Sequence, residues 1–474
     1  MQEPVTGLTA EFVANALDLP SGDYRRRVFT GVTSDTRGDV AGSLFVAIRG
    51  ERFDAHRFIE TAIAAGATGI IAERDQVVVR DSDVAIFPVD DTLTAWRRIA
   101  AAWRQRFTLP VIAVGGSAGK TTTKNLLAAM LAGKFRNVLA TSGSQNGYLG
   151  LAMTLTALRL QHEAAVVEIG IDARGAMAEH AALVQPDAAV VTAIGVEHLE
   201  TLGDIDTVAA EECRLLNATA ERGGTIFVHD DDARLQSYAT TYAGERCIAY
   251  GLGGAHGPDR ACGRIDTHSL VMDGLGLSGV KLPLPLVGRH NALNVLAAAA
   301  IARKLGLDGD EIRAGLATFT PDAARSNCIE LSDDIVALAD YYNASPLSMT
   351  AALDALAELG ERRRWLCLGD MLELGPDELN FHRALATPII DSAAYGVLLY
   401  GPRMKALAEA LRYAAFQGEV VHFEDKAALA DTLTRRIGPG DAILIKGSRG
   451  MAMEDVMTAL VAQSRSRGSS TKLD

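Results

Sequence analysis

The sequence predicts an α/β protein of three domains, and three observations carry that prediction. Residues 109–124 run from the apolar stretch Leu109-Pro110-Val111-Ile112-Ala113-Val114 through Gly115-Gly116-Ser117-Ala118-Gly119 into Lys120-Thr121-Thr122-Thr123-Lys124. That order is strand, glycine-rich turn, helix. Residues 110–320 then alternate apolar runs with helical spacing, which implies a mostly parallel sheet. A third α/β series follows over 321–474. The expected architecture is a small α/β N-terminal domain (1–108), a central P-loop-type domain (109–320) and a C-terminal Rossmann-like α/β domain (321–474). The central domain is expected to be a mostly parallel sheet with helices on both faces. A length of 474 residues suits three domains of roughly 100–200 residues each.

Each element has a local reason. Ser43-Leu44-Phe45-Val46-Ala47-Ile48 reads as a strand closed by Arg49-Gly50. Over 56–65 the residues Phe58, Ile59, Ala62 and Ile63 have helical spacing, and Gly66 stops the helix. Gly69-Ile70-Ile71-Ala72 is a short strand, and a helix over 92–106 leads to an expected hinge at Thr108-Leu109-Pro110. In the central domain, a helix through 125–131 follows the glycine-rich turn. The strand 164–170 carries Glu168 near its C-terminal end, and the strand 188–195 leads to Glu197-His198. Ligands collect at the C-terminal ends of strands in open α/β sheets, so Lys120, Glu168 and His198 are expected in one crevice. An Ala-rich helix occupies 291–305. Strands of the third domain are expected at 335–339, 365–369, 396–401 and 442–447, and the Ser-, Arg- and Lys-rich tail 464–474 is expected to fray.

Composition removes several function classes. No apolar run is long enough to span a bilayer, and the N-terminus has neither a basic start nor a signal-type apolar core. The five cysteines are scattered with no C-x-x-C pair, which argues against a zinc ribbon or disulfide framework and for a reducing, cytoplasmic setting. A net charge of −13 argues against nucleic acid as partner. Arg25-Arg26-Arg27 and Arg362-Arg363-Arg364 read as solvated surface. Small-molecule substrates and a monomer are expected.

The glycine-rich turn supplies the first chemistry. Backbone N–H groups and a helix N-terminus there can face phosphate oxygens. Gly116, Ser117, Gly119, Lys120, Thr121 and Thr122 form the expected cradle. Lys120 faces the β- and γ-phosphates of a nucleotide, and the Thr121 hydroxyl faces Mg²⁺. The general G-x-x-x-x-G-K-[ST] spacing is not met, because Val114 stands where its first glycine belongs.

Further motifs extend along most of the chain. The first domain has Ser34-Asp35-Thr36-Arg37, Gly42-Ser43-Leu44-Phe45-Val46-Ala47 and Gly50-Glu51-Arg52-Phe53-Asp54-Ala55-His56. The second adds Glu168-Ile169-Gly170, His198-Leu199-Glu200, and Gly288-Arg289-His290-Asn291 with Asn294. The third has Asp340-Tyr341-Tyr342-Asn343-Ala344-Ser345-Pro346, Gly369-Asp370-Met371-Leu372-Glu373-Leu374-Gly375 with His382, and Lys446-Gly447-Ser448-Arg449. In order and spacing these together resemble the Mur ligase family of ATP-dependent amide ligases.

The resemblance implies ATP and Mg²⁺ as cofactors and an acyl phosphate that an amine attacks, with ADP and phosphate released. It implies a UDP-sugar in the first domain, ATP in the second and the amino compound in the third. The implied pair in peptidoglycan precursor synthesis is a UDP-N-acetylmuramoyl-tripeptide and D-alanyl-D-alanine. The alternative is a paralogue acting on another carboxylate and amine. By the same resemblance Thr121, Glu168 and His198 hold metal, Asn294 lies by the adenine, Arg325 on the γ-phosphate and Asp340 on the ribose. Lys120, His198, Arg325 and Lys446 are the implied catalytic residues, joined by Glu212. Ser34, Asp35, Thr36, Arg37, Asp54, His56 and Asn146 are expected to bind substrate, and Asn343, His382, Ser448 and Arg449 to face the nucleophile and reacting centre.

Several positions depart from the family pattern. Glu212 stands where the family usually has a lysine that CO₂ carbamylates. The expectation is that Glu212 supplies its own carboxylate to the second metal, directly or through water; a solvated helix face is the alternative. Asn146-Gly147-Tyr148, Ile171-Asp172-Ala173-Arg174, Asn343-Ala344-Ser345 and Arg449-Gly450 also differ, and bear on substrate more than on reaction type.

Overall fold

The computed structural model describes residues 7–20, 26–50, 53–76, 83–241 and 246–470. Arg25 of the first basic run and Glu51 and Arg52 of the first-domain motif lie outside the described residues. So do the last four residues of the tail. The rest of the tail is helical rather than frayed, since the helix Glu454–Ser470 continues into it.

Among the described residues three larger sheets and one two-stranded sheet organise the chain. The first runs Val32–Thr33, Leu44–Val46, Gly69–Glu73, Ala85–Val89, all parallel. Beside it Leu8–Thr9 pairs antiparallel with Val28–Phe29. The central sheet has nine strands among the described residues. Its order is Val138–Ala140, Ala164–Glu168, Val111–Gly115, Ala188–Val191, Thr225–His229, Cys247–Leu252, Arg260–Asp266, Ser269–Gly274, Leu277–Pro283. The first seven are parallel, and the last two turn back as antiparallel hairpins. The third sheet runs Asn327–Glu330, Val336–Asp340, Ala442–Lys446, Arg364–Gly369, Gly396–Tyr400, Glu419–Phe423, parallel except at its first pair.

The hairpins are the part of the central sheet that sequence reading did not foresee. Their turns place Thr267, Leu275 and Gly276 at positive φ, of +53°, +54° and +76°. Thr and Leu seldom adopt that region, so the turn left little signal in the sequence. Other differences are at element ends. The helix expected over 56–65 begins as a 3₁₀ turn, Ala55–Phe58, and becomes α-helical only at Ile59–Ala64. The strand expected over 188–195 stops at Val191. The helix expected over 92–106 ends at Arg104.

What positions the site is the order of the central strands. After Val111–Gly115 the chain leaves to one side, to Val138–Ala140 and Ala164–Glu168, then returns to Ala188–Val191 on the other side. The crevice of an open α/β sheet forms at such a reversal. Alternate residues of Val111–Gly115 feed two apolar layers: Val111 and Ala113 on one face, Ile112 and Val114 on the other. This alternation is the strand period of two. The strand is therefore covered on both faces by helices.

The helix Thr92–Arg104 joins the first sheet to the central one. Asp91 caps its start by accepting the Thr94 N–H at 2.6 Å. Trp96 and Trp103 are buried, and their indole N–H groups donate to Thr156 Oγ1 and the Leu158 carbonyl, both at 3.1 Å. One apolar cluster runs from Val46 and Ile71 through both tryptophans into Leu151 and Val167. Replacing Trp96 by Ala should cost about 3–5 kcal/mol of stability through the cavity it leaves. Urea unfolding checks this: the midpoint should fall at unchanged slope.

Candidate active site

The glycine-rich turn closes on itself from behind. Gly116 has φ +116°, and a Cβ there would lie 2.4 Å from Thr192 Oγ1. Gly119 has φ +84°, and its Cβ would meet Asn294 Oδ1 at 2.7 Å. Both positions need glycine, for conformation and for space. The Thr192 hydroxyl donates to the Gly115 and Ala118 carbonyls, and Ser117 Oγ bonds the Gly195 backbone. The helix Lys120–Leu131 starts at Gly119 with no side-chain cap, so its first N–H groups remain available for an anion.

The crevice in front of the turn has a volume of about 580 Å³. Lys120 lines it, donating to the Gly116 carbonyl at 2.5 Å with Glu197 Oε2 3.7 Å away. Burial opposes the ammonium charge, but Glu197, Glu212 and Glu168 outweigh it and raise the Lys120 pKa. Thr121 Oγ1 donates to Glu168 Oε1 at 2.9 Å, and Asn146 Nδ2 donates to the same oxygen at 2.7 Å. Glu168 Oε2 is buried without a hydrogen bond, its nearest charge being Lys124 Nζ at 3.4 Å. A hydroxyl beside a carboxylate with a spare oxygen is an oxygen donor set that fits Mg²⁺. That ion takes few protein ligands and completes its shell with water and phosphate.

The third sheet supplies the opposite wall. Asp340 and Lys446 stand in register at the ends of neighbouring parallel strands. Lys446 Nζ is 2.6 Å from Asp340 Oδ2 and donates to the Asn343 carbonyl at 2.9 Å, while Asp340 Oδ1 accepts the Ser326 N–H. Arg325 lies over Tyr342, 3.8 Å from the ring centre, and donates to Ser144 Oγ at 2.8 Å. Ser144 Oγ is in turn 3.1 Å from Thr121 Oγ1. His198, at φ +49°, pairs through Nδ1 with Glu373 Oε2 at 2.6 Å.

The crevice thus brings together Ser117, Gly119, Lys120, Thr121, Thr122, Asn146, Glu168, His198, Asn294, Arg325, Asp340, Asn343 and Lys446. Other expected residues stand elsewhere. His382 is fully buried: its Nε2 accepts the Met371 N–H and its Nδ1 donates to the Glu378 carbonyl, so both ring nitrogens are in use. Ser448, also buried, accepts the Leu372 N–H and donates to the Ala344 carbonyl. Arg449 points to Glu454 at 2.6 Å on an exposed surface. None of the three lines the crevice; His382 and Ser448 hold the loops 371–375 and 343–345 instead.

In the first sheet's turn, Asp35 and Arg37 form a two-pronged pair, with Arg37 Nη2 2.7 Å from Asp35 Oδ2. That bond holds the Asp35 carboxyl down at about 2. Ser34 and Thr36 complete this exposed to half-exposed turn. His56 is buried between Asp54 Oδ1, at 2.6 Å, and the Glu73 N–H. None of these residues lines the crevice.

Glu212 differs most from expectation. On the helix Ile205–Glu221 it is wholly buried behind the glycine-rich turn and does not line the crevice. Its Oε2 accepts the Gly116 N–H at 2.7 Å. Burial pushes its carboxyl up to about 8. Among the described residues no three His, Cys, Asp or Glu side chains are placed to hold a metal by themselves. Sequence reading missed Ser144, Lys124, Glu197 and Glu373 as site residues. Lys124 was legible in principle, because it follows Lys120 by one helical turn within the same motif.

Three family models match in order along the chain. They are the Mur ligase family catalytic domain over residues 28–104, the Mur ligase middle domain over 114–302 and the Mur ligase glutamate ligase domain over 324–449. The chain is 38% identical to the UDP-N-acetylmuramoyl-tripeptide–D-alanyl-D-alanine ligase of Synechocystis sp., over 91% of this chain and 92% of that one. It is 35% identical to the enzyme of the same name from Escherichia coli, over 94% and 96%. Among solved structures, MurF from Acinetobacter baumannii superposes with a TM-score of 0.83 at 27% identity, over 97% of this chain and all of that one. MurF from Thermotoga maritima in complex with ADP gives 0.78 at 25%, over 92% and 98%. With matching segments in all three sheets and relatives of more than one-third identity along nearly its full length, the chain belongs to the Mur ligase family.

Proposed function

We propose that the chain joins D-alanyl-D-alanine to a UDP-N-acetylmuramoyl-tripeptide, at the expense of ATP and with release of ADP, in peptidoglycan precursor synthesis. The observation that carries the chemistry is the Thr121–Glu168 pair, set beside Lys120 and faced across one crevice by Arg325 and Lys446. The full-length relatives support the substrate pair.

The difficulty of the reaction is to bring a carboxylate to a triphosphate, both anions. Lys120, the free N–H groups of the helix Lys120–Leu131 and Arg325 neutralise phosphate charge. Bound Mg²⁺ would supply Lewis-acid neutralisation of negative charge at this place. Thr121 and Glu168 are placed to hold it, and Asn146 orients Glu168 through the shared Oε1. His198 stands at the far side, where Glu373 fixes its ring through Nδ1. Asn294 sits against Gly119 and Asp340 at the end of the third sheet, on the nucleotide side of the crevice. The exposed Asp35–Arg37 turn, with Ser34 and Thr36, receives the UDP-sugar. His382 and Ser448 act by shaping the loops around the amine.

The three units take the roles 1–108 for UDP-sugar, 109–320 for ATP and 321–474 for the amine. Arg325 and Lys446 come from the third unit, so the ATP site is complete only with that unit closed on the central sheet. Among the described residues no helix is long and apolar enough to cross a membrane. We place the reaction in the cytoplasm, carried out by a monomer on small-molecule substrates.

ADP release by the purified chain should need ATP, UDP-N-acetylmuramoyl-tripeptide, D-alanyl-D-alanine and Mg²⁺ together, and EDTA should stop it. Release without the dipeptide, or with a different amine preferred, would redirect the substrate assignment. Glu168→Gln should raise half-saturating Mg²⁺ by roughly tenfold or more, the order of loss when metal contacts are removed. Titrating Mg²⁺ at saturating ATP reads this directly.

A further inference from the structure

The position occupied by Glu212 has a use that needs no metal. The glycine-rich turn must present its N–H groups forward and hold that shape while a triphosphate enters. Its back is anchored at a few points. Thr192 takes the Gly115 and Ala118 carbonyls, and Ser117 Oγ ties the turn to Gly195. The first N–H of the turn, that of Gly116, points backwards and has one partner, Glu212 Oε2 at 2.7 Å.

The fit around that bond is close. A Cβ on Gly115 would fall 2.9 Å from both Glu212 Oε2 and Leu215 Cδ2, so the turn and the helix Ile205–Glu221 approach as near as glycine permits. Glu212 is wholly buried, and its other oxygen, Oε1, has no hydrogen bond. Turning Oε2 toward a metal in the crevice would leave the Gly116 N–H unpaired in a buried place, which costs about 1–3 kcal/mol. Gly116 also has φ +116°, a conformation that this anchor and the tight contact with Thr192 hold in place.

We propose that Glu212 is a positioning residue for the nucleotide: it fixes the back of the phosphate turn through the Gly116 N–H and is not a metal ligand. This rests on the nucleotide reading of the turn given above. It differs from the sequence expectation in a way that can be measured without metal or turnover. For this role Glu212 needs only an acceptor oxygen, which a carboxamide also supplies and an alkyl side chain does not.

The test is ADP binding in EDTA, by calorimetry, to the full chain and to Glu212→Gln and Glu212→Leu, with thermal unfolding of each. The Gln variant should bind metal-free ADP within about threefold of the parent. The Leu variant should fold and bind about tenfold or more weakly. A Leu variant that folds and binds like the parent overturns the proposal. So does a Gln variant with parental metal-free binding but a markedly raised Mg²⁺ requirement, since that identifies a metal ligand. If the Leu variant does not fold, the Gln variant decides: loss of metal-free binding there overturns the proposal, and retention with an unchanged Mg²⁺ requirement supports it. A parent chain that fails to bind ADP removes the nucleotide reading and this inference together, whereas failure confined to the variants' pattern leaves the former standing.

Discussion

The molecule depends on one register. Val114 pairs with Glu168, and Gly115 with Val191, across three neighbouring parallel strands. Because those strands end level, the phosphate turn, the carboxylate of Glu168 and the Thr192 hydroxyl emerge at one height. A shift by one residue would turn Glu168 to the opposite face of the sheet and bury the charge among apolar side chains. The Thr121–Glu168 hydrogen bond is the local expression of that register, and it forms only because a helix starts immediately after the turn. Everything else at the site is arranged around this pair: Asn146 holds Glu168 from one side and Lys124 balances it from below.

The third unit meets this centre through apolar packing at Val196, Val287 and Phe381 and through polar links at the crevice. Arg325 reaches Ser144, and Ser144 reaches Thr121, so a guanidinium from one unit and a hydroxyl from another share an intermediary. His198 and Glu373 form a second link across the same opening. Polar links of this kind exchange readily with ligand oxygens, unlike the packed indoles of Trp96 and Trp103 that hold the first sheet to the central one.

These differences also explain what the sequence could and could not disclose. The fold class was legible because buried parallel strands are continuous apolar runs and because turn, loop and helix follow one another in order. Lys120, Thr121 and Glu168 were legible for a related reason: their places are set by backbone that the pattern itself determines. His56, His382 and Ser448 were not. Each belongs to a motif beside the site, but whether a side chain faces the crevice or turns inward to a backbone amide is decided by loop geometry. His382 turns inward to the Met371 N–H, Ser448 to that of Leu372 and His56 to that of Glu73. Ser144 and Glu373 were missed because their partners lie far away in sequence, on Arg325 and His198.

Glu212 joins these two lessons. In sequence its carboxylate counts as a negative charge available to a cation. In the fold, burial pushes that carboxyl up to about 8 against the pull of Lys120, and its Oε2 is taken by the Gly116 N–H. A carboxyl group accepts that hydrogen bond in either protonation state, so the turn keeps its anchor. The charge that the phosphates meet is set by Lys120 and the helix N-terminus in front, while the groups behind the turn hold its shape.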